Sequence, residues 1–205
     1  MEPFTQLTGI AAPLMLANID TDVIIRIERL TAGDRSTLGH YAFEPLRYRP
    51  DGSKAPDFVL NQPAFSGAQI LVAGANFGCG SSREGAVWAL LGVGIRCVIA
   101  DSFGDIFFAN CFQNGLLPIR LRAVAVAKLA RHAELGTPFA IDLTAQTVSV
   151  AGEVHAFDID PRRRQSLLEG LDDVGLSLKQ MDVVRAWQTR DQTQRPWVWS
   201  IGSTQ

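Results

Sequence analysis

Residues 68–100 have the sequence AQILVAGANFGCGSSREGAVWALLGVGIRCVIA, and this stretch decides the fold class. Two short apolar runs, Ala68–Ala73 and Cys97–Ala100, predict buried strands. Between them lie a glycine-rich turn, Gly74–Gly80, and a segment with the length and apolar content of a helix, Ser82–Val93. Strand, turn, helix and strand in this order predict a βαβ unit with parallel strands.

The rest of the chain adds strands and helices on both sides of this unit. Beyond it we predict a third strand at Leu116–Leu121, a hairpin formed by Phe139–Leu143 and Thr147–Val150, and helices at Phe103–Asn110, Val124–Ala133, Pro161–Glu169 and Lys179–Arg190. Residues 1–27 predict a strand, a turn and then a second strand or the start of a helix at Val23–Ile27. The fold class that follows is α/β, with a mixed, partly parallel sheet and flanking helices.

The chain divides into one domain and a short tail. Residues 1–190 are predicted to form a single domain, and the polar residues 191–205 a C-terminal tail. Within the domain, residues 28–65 mix charged residues with prolines and glycines, which predicts a long irregular segment with short elements. Long structured segments of this kind in compact domains are often functional.

The composition is that of an ordinary globular protein and excludes several function classes. Of the 205 residues, 47% are hydrophobic and 20% charged, which is enough for a sizeable core. A net charge of −2 gives no basic excess for a nucleic-acid partner, and no apolar run approaches the length of a membrane span. Three widely spaced cysteines, Cys79, Cys97 and Cys111, argue against a disulfide framework and for the cytoplasm. They form no C-x-x-C pair, so we expect this chain to bind no metal ion or iron–sulfur cluster itself.

The glycine-rich turn carries the chemistry of the chain. Three glycines within seven residues let a backbone turn tightly and approach a ligand, and the helix that follows attracts anions to its N-terminus. Neither a Walker loop nor a dinucleotide fingerprint fits the spacing. Arg83 can grip a carboxylate with two parallel hydrogen bonds. Either Ser81 or Ser82, held among backbone N–H groups, can act as a base if its alkoxide form is stabilised.

A purely structural interpretation competes with this one. Ser81 and Glu84 have the spacing of a capping box, in which the serine caps the helix and the glutamate reaches back to it. Taken alone, the tetrapeptide from Ser81 to Glu84 has capping as its ordinary interpretation. The glycines before it and Arg83 within it favour a binding site, and the two roles can coexist.

Several motifs carry a resemblance to a known family. The sequence ANFGCGSSRE at residues 75–84 closely resembles the signature of the aconitase-superfamily swivel domain. NIDTD at residues 18–22, followed by VII, resembles the N-terminal signature of isopropylmalate isomerase small subunits. Further matches are DFVLN at 57–61, SF at 102–103 with DIF at 105–107, NCF at 110–112, NGLLP at 114–118 and LDDVGL at 171–176. Together they span residues 15 to 190 in the order of the family.

The resemblance implies a swivelling β/β/α domain and a hydro-lyase that interconverts 2-isopropylmalate and 3-isopropylmalate by dehydration and rehydration in leucine biosynthesis. It also implies a heterodimer or larger assembly, in which a large subunit carries the 4Fe–4S cluster and the substrate is a small dicarboxylate. By position, Ser81 corresponds to the base and Asp22 to an acidic residue that supports the catalytic groups. Ser82 and Arg83 correspond to residues that bind a substrate carboxylate, and we add Gly80 and Asn76 to the predicted substrate-binding set.

Two residues beside this site depart from the family pattern. Gly85 stands where the family has histidine, and Arg26 stands where it has proline. These departures leave two alternatives open: a related hydro-lyase subunit for another 2-hydroxy diacid, of the methylmalate or homocitrate type, or a non-catalytic subunit that binds carboxylates. Arg26, Arg29 and Arg35 are candidates for contacting a second carboxylate, with surface solvation as the ordinary role of any one of them.

Overall fold

The seven strands found in the computed structural model, which describes residues 1–32 and 34–199, form one mixed sheet. The strands are β1 (Gln6–Leu14), β2 (Ile70–Ala73), β3 (Cys97–Ala100), β4 (Leu117–Arg120), β5 (Pro138–Asp142), β6 (Thr147–Val150) and β7 (Glu153–Ala156). Their order across the sheet is β4-β3-β2-β1-β5-β6-β7. The central strand β1 therefore joins two halves of different character.

The parallel half consists of β1, β2, β3 and β4. All four residues of β2 and all four of β3 are buried, as expected for parallel strands that are covered on both faces. Ile70 of β2 lies opposite Cys97 of β3, and a helix, α5 (Glu84–Gly92), connects these two strands. The predicted βαβ unit is thus confirmed, although its helix begins two residues later than expected.

The antiparallel half consists of β5, β6 and β7, with β5 paired to β1. The predicted hairpin of β5 and β6 is confirmed. We did not predict β7, a short edge strand whose residues are mostly exposed and so lack the alternation that marks a half-buried strand. The two halves together confirm the mixed, partly parallel sheet.

Helices cover both faces of this sheet. The longer ones are α5, α6 (Asp105–Asn114), α7 (Ala123–Glu134), α8 (Pro161–Glu169) and α10 (Met181–Gln194). Leu90 of α5 and Phe107 of α6 pack in one apolar cluster with Leu71 of β2. On the opposite face, Leu129 of α7 packs in a second cluster with Val72. The predicted flanking helices are therefore confirmed.

The segment predicted to be irregular contains only short helices in its described residues. They are α2 (Ile27–Ala32), α3 (Leu38–Tyr41), α4 (Glu44–Arg47) and the 3-10 turns Arg35–Thr37, Val59–Asn61 and Pro63–Phe65. Just before them lies α1 (Thr21–Ile24). Of the two alternatives predicted at Val23, a strand or the start of a helix, the helix is therefore the one found. Because this segment connects β1 to β2, it is anchored at both ends in the parallel half of the sheet.

The end of the described chain is helical. Two short helices, α9 (Asp173–Leu178) and α11 (Pro196–Trp199), flank α10. The predicted boundary at residue 191 falls inside α10, and residues 200–205 of the predicted tail lie outside the described residues. The division into one domain and a tail stays a prediction. Within the described ranges, no helix has both the length and the apolar character needed to cross a bilayer.

Candidate active site

The predicted site residues lie where parallel strands end. β1 ends at Leu14, β2 at Ala73 and β3 at Ala100, and each is followed by a loop. The carboxyl ends of parallel strands meet at one edge of a sheet, and ligands of open α/β sheets bind outside that edge. The loops that carry Asp22 and Arg83 are therefore neighbours, although about 60 residues separate them in the sequence.

Backbone hydrogen bonds hold the first two of these loops together. The N–H of Gly78 donates to the carbonyl of Ile19 over 2.7 Å, and the N–H of Thr21 donates to the carbonyl of Cys79 over 2.9 Å. The buried hydroxyl of Thr21 adds a third bond, to the carbonyl of Ser81 over 3.1 Å. The start of α1 is thus fixed against the loop that precedes α5.

Asp22 and Arg83 meet across this junction. A guanidinium nitrogen of Arg83, Nη1, donates to Oδ1 of Asp22. Arg83 is largely buried, with 16% of its side chain exposed, whereas 54% of Asp22 is exposed. The pair uses one of the five N–H donors of the guanidinium. Within residues 1–32 and 34–199, no hydrogen-bond acceptor is found for the other donors of Arg83, so they can bind an anion.

Ser81 and Ser82 are exposed beside this pair. The carbonyl of Ser81 accepts the bond from Thr21, so its backbone is fixed while its hydroxyl remains accessible. Among the described residues, neither serine hydroxyl has a hydrogen-bond partner. Both are thus free to contact a molecule in front of the loop.

Gly80 and Asn76 shape the same loop from opposite ends. Gly80 has a φ of +92°, which only glycine adopts without strain, and it lies against Asp20 and Thr21. Asn76 has a φ of +57°, and its Nδ2 donates to Oδ1 of Asn18 over 2.9 Å. Both residues contribute to the loop geometry, and the side chain of Asn76 contacts the β1 loop rather than Asp22 or Arg83.

The capping-box interpretation of this loop is wrong. Arg83 occupies the N-cap position of α5 in an extended conformation. Its side chain makes no capping hydrogen bond to the first turn of the helix. Oε1 of Glu84 does not reach back to Ser81 but accepts a hydrogen bond from Nδ2 of Asn114 over 2.7 Å. Glu84 is therefore hydrogen-bonded to Asn114 of α6 instead of to Ser81, and Ser81 lies outside α5.

The small size of residue 85 fits its surroundings, because the side chain of Leu30 lies directly against Gly85. It is buried, and a Cβ atom built on it would lie 2.3 Å from Cδ2 and 2.9 Å from Cδ1 of Leu30. The side chain of Leu30, from α2, occupies the space that a larger residue at position 85 would need. A larger residue at position 85 would therefore require the side chain of Leu30 to move.

The three arginines predicted for a second carboxylate have different surroundings. Arg29 pairs with Glu44, where its Nε donates to Oε2 over 3.0 Å, and this bond holds the pKa of the Glu44 carboxyl below its usual value. Arg35 stacks over the ring of Trp88 at 4.5 Å. Arg26 is exposed and lines an open cavity of about 710 Å³ together with Glu44, whose pKa its charge also helps to lower.

Three residues of this site were not predicted. Asn18 and Thr21 bond the loop before α5, and the hydroxyl of Ser102 accepts from the N–H of Asn76 over 2.8 Å. Asn18 lies shortly after β1 and Ser102 shortly after β3. A sequence signal was available, because polar residues that follow strands of a parallel sheet collect at one edge.

The cysteines do not gather at this edge. Cys97 and Cys111 are fully buried, and burial raises the pKa of both thiols well above their ordinary value. Cys79 is half-buried in the loop before α5. In the described part of the chain, no three histidine, cysteine or acidic side chains are grouped to hold a metal ion.

Comparison with known proteins gives consistent matches. A family model described as the aconitase C-terminal domain matches residues 1–124. The 3-isopropylmalate dehydratase small subunit of Rhodospirillum centenum is 52% identical over 200 residues, which covers 96% of this chain and 98% of that protein. The small subunit of the same name from Roseobacter denitrificans is 51% identical over 201 residues, covering 97% of this chain and 100% of that protein.

A solved structure agrees with these matches. The crystal structure of 3-isopropylmalate dehydratase from Methanocaldococcus jannaschii is similar with a TM-score of 0.65 and 26% sequence identity. The similarity covers 90% of this chain and 99% of that one. Since half of its residues are identical to those of the curated relatives over nearly its whole length, the chain belongs to the family of 3-isopropylmalate dehydratase small subunits, within the aconitase superfamily.

Proposed function

We propose that this chain is the small subunit of a hydro-lyase that interconverts 2-isopropylmalate and 3-isopropylmalate in leucine biosynthesis, in the cytoplasm. The observation that carries the proposal is the pairing of Arg83 with Asp22 beside two accessible serine hydroxyls. The names of the relatives favour isopropylmalate over a methylmalate or homocitrate type of substrate. They also favour a catalytic subunit over a non-catalytic one.

Substrate binding falls to the residues around Arg83. The free donors of its guanidinium bind a substrate carboxylate, helped by the hydroxyl of Ser82 and by the backbone at Gly80. Asp22 holds the guanidinium in place, since the preceding residue, Thr21, is fixed by a backbone bond to Cys79. Asn76 completes the set at the start of the loop. Of the three arginines considered for the second carboxylate, Arg26 is the one that we retain.

Ser81 is the proposed base. Its alkoxide takes the proton from the carbon next to the carboxylate, and the C–H electron pair becomes the carbon–carbon double bond as hydroxide leaves the neighbouring carbon. The guanidinium of Arg83 balances the charge that develops on the carboxylate. Rehydration of the double bond at the other carbon, with return of the proton, gives the isomer.

The departing hydroxide requires a Lewis acid. From the resemblance to the aconitase superfamily, we propose that a large subunit contributes a 4Fe–4S cluster. Such a cluster would supply a Lewis-acidic iron for the leaving hydroxide. The partner in the proposal is thus the large subunit, and the ligand is a small dicarboxylate.

The test is to assemble the chain with its cognate large subunit, reconstitute the cluster and follow the conversion of 3-isopropylmalate to 2-isopropylmalate. Ser81→Ala is expected to lower kcat by about 10²–10⁴-fold, the usual contribution of a general base. The size of the complex should not change. Absence of turnover on any alkylmalate by the wild-type complex would overturn the proposal, and binding of isopropylmalate without turnover would support the non-catalytic alternative.

A further inference from the structure

Both the nitrogen and the oxygen of the Asn114 side-chain amide form hydrogen bonds. Nδ2 donates to Oε1 of Glu84 over 2.7 Å and to the carbonyl of Asn110 over 2.9 Å. Oδ1 accepts from Nε1 of Trp88 over 2.8 Å and from Nη2 of Arg35 over 3.2 Å. One amide therefore contacts the first and second turns of α5 and also the 3-10 turn of the irregular segment.

Asn114 is well suited to fix these elements. It is the last residue of α6, and Gly115 ends that helix in a left-handed conformation with a φ of +83°. The guanidinium of Arg35 also lies 4.5 Å above the ring of Trp88, so the bonds to Asn114 are joined by a cation–π contact. Asn114 therefore links the end of α6 to the first two turns of α5 and to the 3-10 turn at Arg35–Thr37.

The first turn of α5 depends on this amide. No side chain caps the helix at Arg83, so the helix has no cap of its own to hold its start. Glu84 directly follows Arg83 and is bonded to Asn114 instead. Glu84 is joined to Arg83 by a peptide bond, so the position of Glu84 affects the backbone of Arg83, whereas Ser81 is also held by the bond from Thr21.

We propose that Asn114 is a positioning residue for the site: it holds the start of α5 so that Arg83 and the two serines face the substrate. The catalytic part of this inference rests on the proposed function, whereas the structural part does not. Asn114 touches none of the proposed reacting atoms and acts through Glu84. Its removal should therefore affect the arrangement of the site more than the binding of the large subunit.

The test exchanges the donor and the acceptor of one hydrogen bond. Asn114→Asp sets a carboxylate against that of Glu84, so the two repel. In the double variant Asn114→Asp/Glu84→Gln, the new amide donates to the new carboxylate, which still accepts from Trp88 and Arg35. The double variant also keeps the net charge of the wild type. Gln165→Glu is a matched control, since Gln165 donates to Glu169 over 3.1 Å on α8, away from the site.

Two measurements are made on these variants. In the reconstituted complex with the large subunit, Asn114→Asp is expected to lower kcat/KM for 3-isopropylmalate at least tenfold. In the full chain alone, it is expected to speed amide hydrogen exchange in the second turn of α5. The double variant should recover part of both losses, because it restores the bond between positions 84 and 114 but not the bond to the carbonyl of Asn110. The Gln165→Glu variant should show neither loss.

Several results would overturn the inference. One is wild-type kinetics and exchange for Asn114→Asp; another is a double variant no better than the single one. A lower melting temperature with unchanged kcat/KM would show that Asn114 serves stability alone. If the wild-type complex lacks isomerase activity, the proposed function fails, and the exchange measurement still decides whether Asn114 holds α5.

Discussion

Replacement of Gly85 by alanine tests whether Leu30 fills the space beside α5. The new Cβ atom would lie 2.3 Å from Cδ2 of Leu30, whereas carbon atoms in contact are about 3.5–4.0 Å apart. Leu30 must therefore move by more than about 1 Å. Overpacking of this kind costs about 1–3 kcal/mol, and the better helix propensity of alanine offsets up to about 1 kcal/mol of it.

The expected net loss of stability is about 1 kcal/mol for Gly85→Ala. In a chain of this size, such a loss lowers Tm by about 2–4 °C. The assay is thermal and urea unfolding of the full chain. Gly9→Ala is the control, because a Cβ atom on Gly9 meets no other atom within 4 Å. That variant is expected to be as stable as the wild type or up to about 1 kcal/mol more stable, because glycine within a strand is less favourable than alanine.

A double-mutant cycle identifies the cause of the loss. Leu30→Ala alone leaves unfilled space beside Gly85, and the partly buried position of Leu30 suggests a cost near the lower end of about 2–5 kcal/mol. In the double variant the new methyl group at position 85 has room, so the combined loss should fall short of the sum by about 1–2 kcal/mol. Additive losses, or a Gly85→Ala variant as stable as the wild type, would refute the explanation of Gly85.

Two further predictions concern titratable groups. The bond from Arg29 lowers the pKa of Glu44 in the folded state, so it stabilises the fold above the ordinary glutamate pKa, and this contribution is lost as pH falls through the lowered pKa. Glu44→Gln should therefore lower Tm at pH 7, and the difference from the wild type should shrink between about pH 5 and pH 3; a constant difference over that range would contradict this. In the native full chain at pH 8, a thiol reagent should modify Cys79 readily but Cys97 and Cys111 only after unfolding, because burial raises the pKa of both thiols. Rapid native labelling of a Cys79→Ser variant would contradict that expectation.

Much of the parallel half of the sheet was predictable from local patterns. The apolar runs at β2 and β3 are too short for helices and too apolar for loops, so burial as parallel strands was the consistent interpretation. The helix that starts at Pro161 was predicted, because helices tolerate proline in their first turn; Gly170 ends it with a φ of +67°. The exposed edge strand β7 has no such local signal.

The start of α5 shows where local patterns fail. Ser81 and Glu84 fit a capping box by spacing, yet Glu84 bonds to Asn114 across 30 residues. A local motif indicates only which hydrogen bonds a segment can make within itself. Asn114 competes for Glu84 because α6 packs against α5, and the local motif does not contain this information. The same holds for Gly85, whose space is taken by Leu30 from a different helix.

The sequence by itself determined the βαβ unit, the mixed sheet and the membership of the aconitase superfamily, because these depend on hydrophobic period, glycine positions and motif spacing within short stretches. Only the tertiary structure decided which side chains meet. Asp22 pairs with Arg83 because β1 and β2 are parallel neighbours whose ends share one edge of the sheet. The side chain of Leu30 occupies the space beside Gly85, and Asn114 is hydrogen-bonded to Glu84. Both contacts join distant segments, so they depend on how the helices and strands pack.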